Sequence, residues 1–276
     1  MTAVFGHPVA ENPTIVMLEA AFRKMKLDWR YLTIEVLPEN LEDALAGMKA
    51  MGLQGLNLTI PHKIEVMKYL DAVADDASLI GAVNTVRRDG DRLIGENTDG
   101  KGFLESLRID GRMNPAGKEF LILGAGGAAR ALCTELALAG ARSIRIVNRT
   151  VSRAEALASH ISRNTAAEVS ALPWTPALSL PSSVNVLVNA TSIGLFPDTN
   201  KPDLNYDSIR QDMLVCDVIP NPPETEFLKE ASRRGARTLD GLGMLVYQGA
   251  IGFKMWTGLE APVDEMKEAL IKEFQE

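Results

Sequence analysis

Phe120-Leu121-Ile122-Leu123-Gly124-Ala125-Gly126-Gly127-Ala128-Ala129-Arg130 decides how this chain is read. The apolar residues at its head read as a buried strand. Ala131-Leu132 and Leu136-Ala137-Leu138 continue at helical spacing until Gly140 stops the helix. Strand, glycine turn and helix form the unit that brings backbone N–H groups against a pyrophosphate at a helix N-terminus. A tight strand-to-helix turn with no ligand is the plain alternative, and Gly124-x-Gly126-Gly127 departs from the commonest G-x-G-x-x-G spacing. The next strand weighs against that alternative. Ser143-Ile144-Arg145-Ile146-Val147 runs into Asn148-Arg149-Thr150, with Arg153 one turn on. An acid there would hold a ribose 2′-hydroxyl, whereas cations favour a 2′-phosphate. The expected cofactor is therefore NADP rather than NAD.

Working outward, short apolar strands alternate with helices from about Gly117 to Leu239. The expected strands are Glu119–Leu123, Ser143–Val147, Val184–Val188 and Leu214–Val218, with a short one near Thr238. The expected helices are Ala128–Ala139, Ser152–Ile161 and Thr225–Arg234. That order predicts a doubly wound parallel sheet of Rossmann type, with ligands outside the carboxyl ends of its strands. Asn189-Ala190-Thr191-Ser192 and Ile219-Pro220-Asn221-Pro222 follow two of those ends.

A second α/β pattern precedes it. A helix is expected over Ile15–Met25, a strand over Tyr31–Val36, a helix over Leu41–Met51 and a strand over Gly55–Leu58. Helices then follow around Ile64–Leu70 and Ala74–Leu79. Asn84–Arg88 and Arg92–Ile94 read as a hairpin about Asp89-Gly90-Asp91. Beyond Asp240 the chain reads as two helices, Leu242–Thr257 and Val263–Phe274, which have no strand partner. Docking them on the first region gives a discontinuous domain, 1–101 with 240–276, and an inserted NADP domain, 102–239. A ligand cleft is expected between the two.

The bulk properties bound the function. The chain has 276 residues, 46% apolar and 24% charged, ordinary values for a globular protein with ample core. A formal net charge of −7 argues against nucleic acid or an anionic membrane as a partner. Arg149 and Arg153 are then expected to serve a small anion. Cys133 and Cys216 lie in apolar surroundings and read as reduced core residues. The three histidines share no metal-ligand spacing, and no metal is expected. No apolar segment approaches transmembrane length. The acids Glu11 and Glu19 interrupt any signal-peptide pattern, so a soluble cytoplasmic protein is expected. A monomer or homodimer is expected as well, on no particular motif.

Two loops carry chemistry. One strand ends at Asn57-Leu58-Thr59-Ile60-Pro61-His62-Lys63, and another at Glu96-Asn97-Thr98-Asp99-Gly100. Removing hydride from an alcohol carbon requires the hydroxyl proton to leave as well, so a base must sit within hydrogen-bond reach. A lysine in a dry cleft can serve, with an aspartate aligning its ammonium. Lys63 and Asp99 are the candidates by type and location. Taken singly, each has a bland alternative: a solvated lysine at a helix start, and an Asx turn.

The whole constellation resembles the shikimate dehydrogenase family, which also includes quinate/shikimate and aminoshikimate dehydrogenases. The matching residues are Gly6-x-Pro8, Asn57-x-Thr59-x-Pro61-x-Lys63, Gly81-Ala82-Val83-Asn84-Thr85 and Asn97-Thr98-Asp99-Gly100. They continue with Gly124-Ala125-Gly126-Gly127-x-x-Arg130, Asn148-Arg149-Thr150 and Asn189-Ala190-Thr191-Ser192-x-Gly194. Near the end come Asp240-Gly241-Leu242-Gly243-Met244-Leu245-Val246-x-Gln248 and Phe253-x-x-Trp256-x-Gly258. The resemblance implies Lys63 as acid/base with Asp99 as its partner. It implies Thr59, Asn84, Asp99 and Gln248 as grips on the hydroxyls of a cyclic polyol acid. The cofactor would be held by Gly124, Ala125, Gly126, Gly127, Ala128, Asn148, Arg149, Thr150, Arg153, Thr191 and Gly241, with Met244 near the nicotinamide. Met244 also reads as an ordinary core methionine.

Two departures bear on substrate. Where the family usually has Ser-x-Ser-Pro, whose hydroxyls bind the substrate carboxylate, this chain has Asn12-Pro13-Thr14-Ile15. Asn12 and Thr14 can still bind a carboxylate, or merely cap the helix that follows. Where the family often has a substrate-reaching tyrosine, this chain has Pro220, which offers no donor. The expected reaction is shikimate + NADP⁺ to 3-dehydroshikimate + NADPH. The alternatives are a paralogue acting on quinate, an aminoshikimate or another cyclic polyol, and a non-catalytic NADP-binding regulator. The intact pair Lys63 and Asp99 speaks against the regulator.

Overall fold

In the computed structural model, which describes residues 1–275, two units divide the chain. One is Met1–Asp99 with the segment from Val246 onward, and the other is Gly100–Leu245. The elements of the first unit run β1 (Thr2–Gly6), α1 (Thr14–Lys24), β2 (Tyr31–Glu35), α2 (Leu41–Ala50), β3 (Gly55–Leu58) and α3 (His62–Glu65). They continue with β4 (Ala72–Val73), α4 (Asp75–Ile80), β5 (Thr85–Asp89) and β6 (Arg92–Glu96). Then come α5 (Asp99–Ile109), β7 (Glu119–Leu123), α6 (Gly127–Leu138), β8 (Ser143–Asn148) and α7 (Val151–Asn164). After these come β9 (Glu168–Pro173), β10 (Val186–Asn189), β11 (Leu214–Asp217), α8 (Glu226–Arg233) and β12 (Arg237–Leu239). The chain closes with α9 (Leu242–Thr257) and α10 (Val263–Glu273).

In the second unit every strand pairing is parallel, in the order β12-β11-β10-β7-β8-β9. Alternate residues of β7 feed opposite faces of this sheet, as the period-2 geometry of a strand dictates. Phe120 and Ile122 join Ile144, Val188, Leu132 and Leu136 in one core, while Leu121 and Leu123 join Leu187, Val215 and Phe227 in the other. Burying such side chains is worth about 1.5–3 kcal/mol each. The connections leave β7 toward β8 and β9 on one side, then return to β10 on its other side. Sequence order therefore reverses between β7 and β10, and the crevice outside their carboxyl ends is where such sheets bind ligands.

The first unit holds a mixed sheet, β2-β1-β3-β5-β6-β4. β1 pairs in parallel with β2 and β3, while β5 runs antiparallel to both β3 and β6. The carboxyl ends of β1, β3 and β6 and the start of β5 therefore lie along one edge. Leu56, Leu58, Phe5 and Val86 pack with α2 residues Leu41, Leu45 and Met48. Within this unit Trp256 of α9 donates its indole N–H to Val86 O at 3.0 Å, and Lys24 of α1 reaches Glu265 of α10 at 2.8 Å.

The structure adds strands that the sequence reading does not contain. β1 is buried at every position, so it shows no alternation. β9 is an edge strand with no fully buried residue and a proline at its end. β4 is a two-residue pairing beside β6. The expected helix over Ile64–Leu70 is the single turn α3 followed by a 3₁₀ turn, Val66–Tyr69. The hairpin pairs Thr85–Asp89 with Arg92–Glu96, and Gly90 at φ 62° makes its turn. Among the described residues no helix is long and apolar enough to cross a membrane, and no cluster of His, Cys, Asp and Glu could hold a metal ion. Cys133 and Cys216 are free, buried thiols, and burial pushes both well up from the ordinary range.

Candidate active site

Along the strand edge of the first unit, three loops converge. Pro61 ends the loop after β3 and starts α3. His62 is spent on structure, since its buried Nε2 bonds Val36 O at 2.8 Å. Lys63 is fixed through its backbone, its carbonyl accepting Val83 N–H at 2.7 Å. Its side chain is free to turn to Asp99, and Nζ donates to Asp99 Oδ2 at 2.6 Å with both side chains part-buried. The other Asp99 oxygen accepts Asn84 Nδ2 at 2.8 Å. Asn97 Oδ1 accepts the Asp99 N–H at 3.1 Å, the Asx turn at the start of α5.

Asn84 is tied at both ends. Its Oδ1 accepts Thr98 N–H at 2.7 Å, and its Nδ2 also bonds Thr98 Oγ1 at 3.0 Å. Gln248 on α9 joins through Oε1, which accepts Thr98 Oγ1 at 3.3 Å. Beneath them Asn57 donates to Thr85 Oγ1 at 3.0 Å and accepts the Tyr31 hydroxyl at 2.7 Å. Thr59 lies at the carboxyl end of β3, where a Cβ on Gly6 would fall 2.4 Å from its methyl carbon. Lys63, Asp99, Asn84, Gln248 and Thr59 thus share one edge of one unit. Chemically, this is a lysine ammonium held at a fixed oxygen, with amide and hydroxyl groups around it.

Asn12 and Thr14 lie at the head of α1. Asn12 Oδ1 accepts the Thr14 N–H at 3.0 Å, an Asx turn that leads into α1, whose N-cap position is Pro13 and carries no side-chain cap. The Asn12 carbonyl is therefore turned back on its own chain.

The cofactor motifs occupy the second unit. Gly124 has φ 111°, and a Cβ there would fall 2.7 Å from Ala190 O, so only glycine fits. Gly126 and Gly127 differ: a Cβ on either would meet nothing of the protein within 4 Å. Internal packing does not require them, and bare backbone is what close approach of a phosphate needs. No side chain caps α6, which leaves the N–H groups of its first turn, Ala128 included, suited to an anion. At the end of β8, Asn148 Nδ2 bonds Thr150 O at 2.9 Å and closes the turn that carries Arg149. Arg149 and Arg153 are exposed and have no ion-pair partner among the described residues. A cavity of about 450 Å³ beside Arg149 is lined by Trp174, Ile193 and Lys201.

Gly241 serves packing, because a Cβ would fall 2.5 Å from the backbone of Ile219. Met244 packs partly buried against the core of this unit. Thr191 uses its hydroxyl on its own loop, donating to Asn189 Oδ1 at 2.7 Å and accepting Ile193 N–H at 3.1 Å. The sequence reading missed Asp217. It is 1% exposed at the end of β11, accepts from Asn189 and Thr225, and is pushed up to about 6 by burial. An acid closing an apolar strand, Leu214-Val215-Cys216-Asp217, was the available signal.

Comparison with known proteins identifies the family. The shikimate dehydrogenase substrate binding domain matches residues 4–86, shikimate/quinate 5-dehydrogenase matches 109–224, and the shikimate 5′-dehydrogenase C-terminal domain matches 241–271. The chain belongs to the shikimate dehydrogenase family. A curated family member, the shikimate dehydrogenase (NADP(+)) of Methanocaldococcus jannaschii, is 45% identical over 97% of this chain and 95% of its own. A solved shikimate dehydrogenase in complex with NADP⁺ superposes with a TM-score of 0.93 at 44% identity, covering 100% of this chain and 96% of that one. The ligand-free 5-ketofructose reductase of Gluconobacter sp. strain CHM43 superposes with a TM-score of 0.96 at 48% identity, covering 99% of this chain and 98% of that one.

Proposed function

We propose that this protein is an NADP-dependent dehydrogenase that interconverts a ring hydroxyl and a ring ketone, with shikimate + NADP⁺ to 3-dehydroshikimate + NADPH + H⁺ as its reaction. The observation that carries this is the 2.6 Å contact of Lys63 Nζ with Asp99, whose second oxygen is held by Asn84. The curated relatives, which are NADP(+) shikimate dehydrogenases, support the same reading.

NADP, when bound, supplies the hydride chemistry. The bare turn Gly124–Gly127, the uncapped start of α6 and the unpaired cations Arg149 and Arg153 fit its pyrophosphate and 2′-phosphate. Asn148 and Thr150 shape the arginine turn, while Thr191, Gly241 and Met244 act on cofactor placement through packing. In the oxidation direction, Lys63 Nζ takes the hydroxyl proton as the C–H bond gives up its hydride. In reduction, the Lys63 ammonium returns that proton to the carbonyl oxygen. Asp99 keeps Nζ in place and offers its carboxylate to a neighbouring substrate hydroxyl. Asn84 holds Asp99 from behind, and Thr59 and Gln248 flank the ring hydroxyls. The partner is a small cyclic hydroxy compound.

One set of observations favours a second reading, in which the ring substrate is an uncharged polyol or ketose. The Asn12 carbonyl takes up the Thr14 N–H, and Pro220 has no donor side chain. Loss of one hydrogen bond to a carboxylate costs about 1.5–3 kcal/mol, or roughly ten- to a hundredfold in affinity. The Gluconobacter relative is named a 5-ketofructose reductase, and 5-ketofructose is a sugar without a carboxylate.

Purified protein assayed for NADP⁺ reduction with shikimate and for NADPH oxidation with 5-ketofructose tests both. Turnover of shikimate that disappears in Lys63→Ala supports the leading reading. Lys63-dependent turnover of the ketose alone selects the second. No Lys63-dependent turnover of either, with NADPH still bound, overturns the proposal.

A further inference from the structure

Behind the glycine turn, a chain of buried polar groups runs through the second unit and touches no expected ligand position until its end. Asp217 begins it. Its Oδ1 accepts Asn189 Nδ2 at 3.1 Å and Ile219 N–H at 3.2 Å, and its Oδ2 accepts the Thr225 hydroxyl at 2.8 Å. Thr225 in turn caps α8 by accepting Leu228 N–H. Asn189, with no exposed surface, passes the link on. Its Nδ2 also donates to Ile193 O at 3.2 Å, and its Oδ1 accepts both the N–H and the hydroxyl of Thr191. The loop so held rests on the glycine turn: Ala190 O and the Thr191 methyl lie 2.7 and 3.2 Å from where a Gly124 Cβ would stand.

Every hydrogen-bonding atom of the Asn189 side chain is therefore committed. A buried carboxylate carries a desolvation cost, and here it is set against several donated hydrogen bonds. Such a network fixes one backbone arrangement, because each alternative leaves a buried group unsatisfied. The arrangement it fixes is that of Ala190–Ile193 beside Gly124.

We propose that Asp217 and Asn189 are positioning residues for the dinucleotide. They set the Ala190–Ile193 loop against Gly124 and so hold the glycine turn in its phosphate-receiving shape. This rests on the NADP reading given above. Neither residue contacts the cofactor; both act through Thr191 and Gly124.

The test is NADPH affinity by fluorescence titration, together with kcat and the ring substrate's KM, for Asp217→Ala, Asp217→Asn and Asn189→Ser. Asp217→Ala and Asn189→Ser are expected to weaken NADPH binding about tenfold or more, with the ring substrate's KM unchanged. Asp217→Asn is expected to rescue affinity, because its carbonyl can accept from Asn189 and Ile219 while its amide donates to the Thr225 hydroxyl. A merely structural role would lower the folded fraction and hence the apparent kcat, leaving the NADPH affinity of folded molecules as it was. That result overturns the proposal, as does any loss of NADPH affinity below tenfold. Should Asp217→Ala fail to fold, Asn189→Ser alone decides. If the wild-type protein binds no NADPH, the NADP reading itself has failed; if it binds and the variants bind equally, only this inference has.

Discussion

The two sites of this protein are built in opposite ways. In the first unit, Lys63, Asp99, Asn84, Thr98 and Gln248 are bonded to one another, so these side chains hold one another in place. In the second unit the parts proposed to receive the dinucleotide are bare backbone at Gly126 and Gly127 and the exposed arginines Arg149 and Arg153, with a bonded network around Asn189 and Asp217. Proton transfer needs a donor fixed to a few tenths of an ångström, which a side-chain network supplies. Holding a dinucleotide needs room for phosphates and available charge, which side-chain bonds would consume.

This contrast predicts separable effects. Lys63→Ala should lower kcat by about 10²–10⁴-fold while NADPH binding stays at the wild-type value. Steady-state rates beside a fluorescence titration check it, and equal loss of both would erase the distinction between the sites. Arg149→Ala should do the reverse. NADPH affinity should fall about ten- to a hundredfold, NADH affinity should hold, and kcat at saturating NADPH should be unchanged. Raising the salt concentration should shrink the wild-type advantage, since Arg149 is exposed.

Asp217 sharpens the comparison through pH. Burial raises its pKa from the ordinary value near 3.8 to about 6. A carboxyl group raised in the folded state contributes stability that is fully present below about pH 4 and is lost as pH rises through 6. Against Asp217→Asn, which does not titrate, the wild type should therefore lose on the order of 1–3 kcal/mol between about pH 4 and pH 7. Urea unfolding across that range measures it, and a flat difference would contradict the assignment. The smallest effect belongs to Asn12→Ala. Losing the bond to Thr14 N–H should cost about 0.5–1 kcal/mol of stability. A simultaneous rise in the ring substrate's KM would show that the Asn12 amide also reaches the substrate.

Much of this was legible in the sequence, for identifiable reasons. β7, its glycine turn and α6 stand out because a fully buried strand, a turn and an amphipathic helix follow in sequence, all within one βαβ unit. Lys63 and Asp99 were singled out by chemical type and by matched motif, and the structure places them in contact although 36 residues separate them. β1 and β9 were not legible, the first because Thr2 and Gly6 leave only three apolar residues in a row and the second because an edge strand buries no residue fully. The commitment of Asn84 and Thr191 to bonds inside the protein was equally hidden. Residue type announces a donor or an acceptor; only the pairing of β5 with β6, or of β10 with β7, shows where it is spent.

The most direct test is NADP⁺ reduction by the purified protein in the presence of saturating shikimate, with Lys63→Ala measured beside it. The account predicts NADPH formation by the wild-type protein that the variant loses, while both bind NADPH equally. NADPH formation at the same rate by both proteins would contradict the assignment of the proton to Lys63 and, with it, the account.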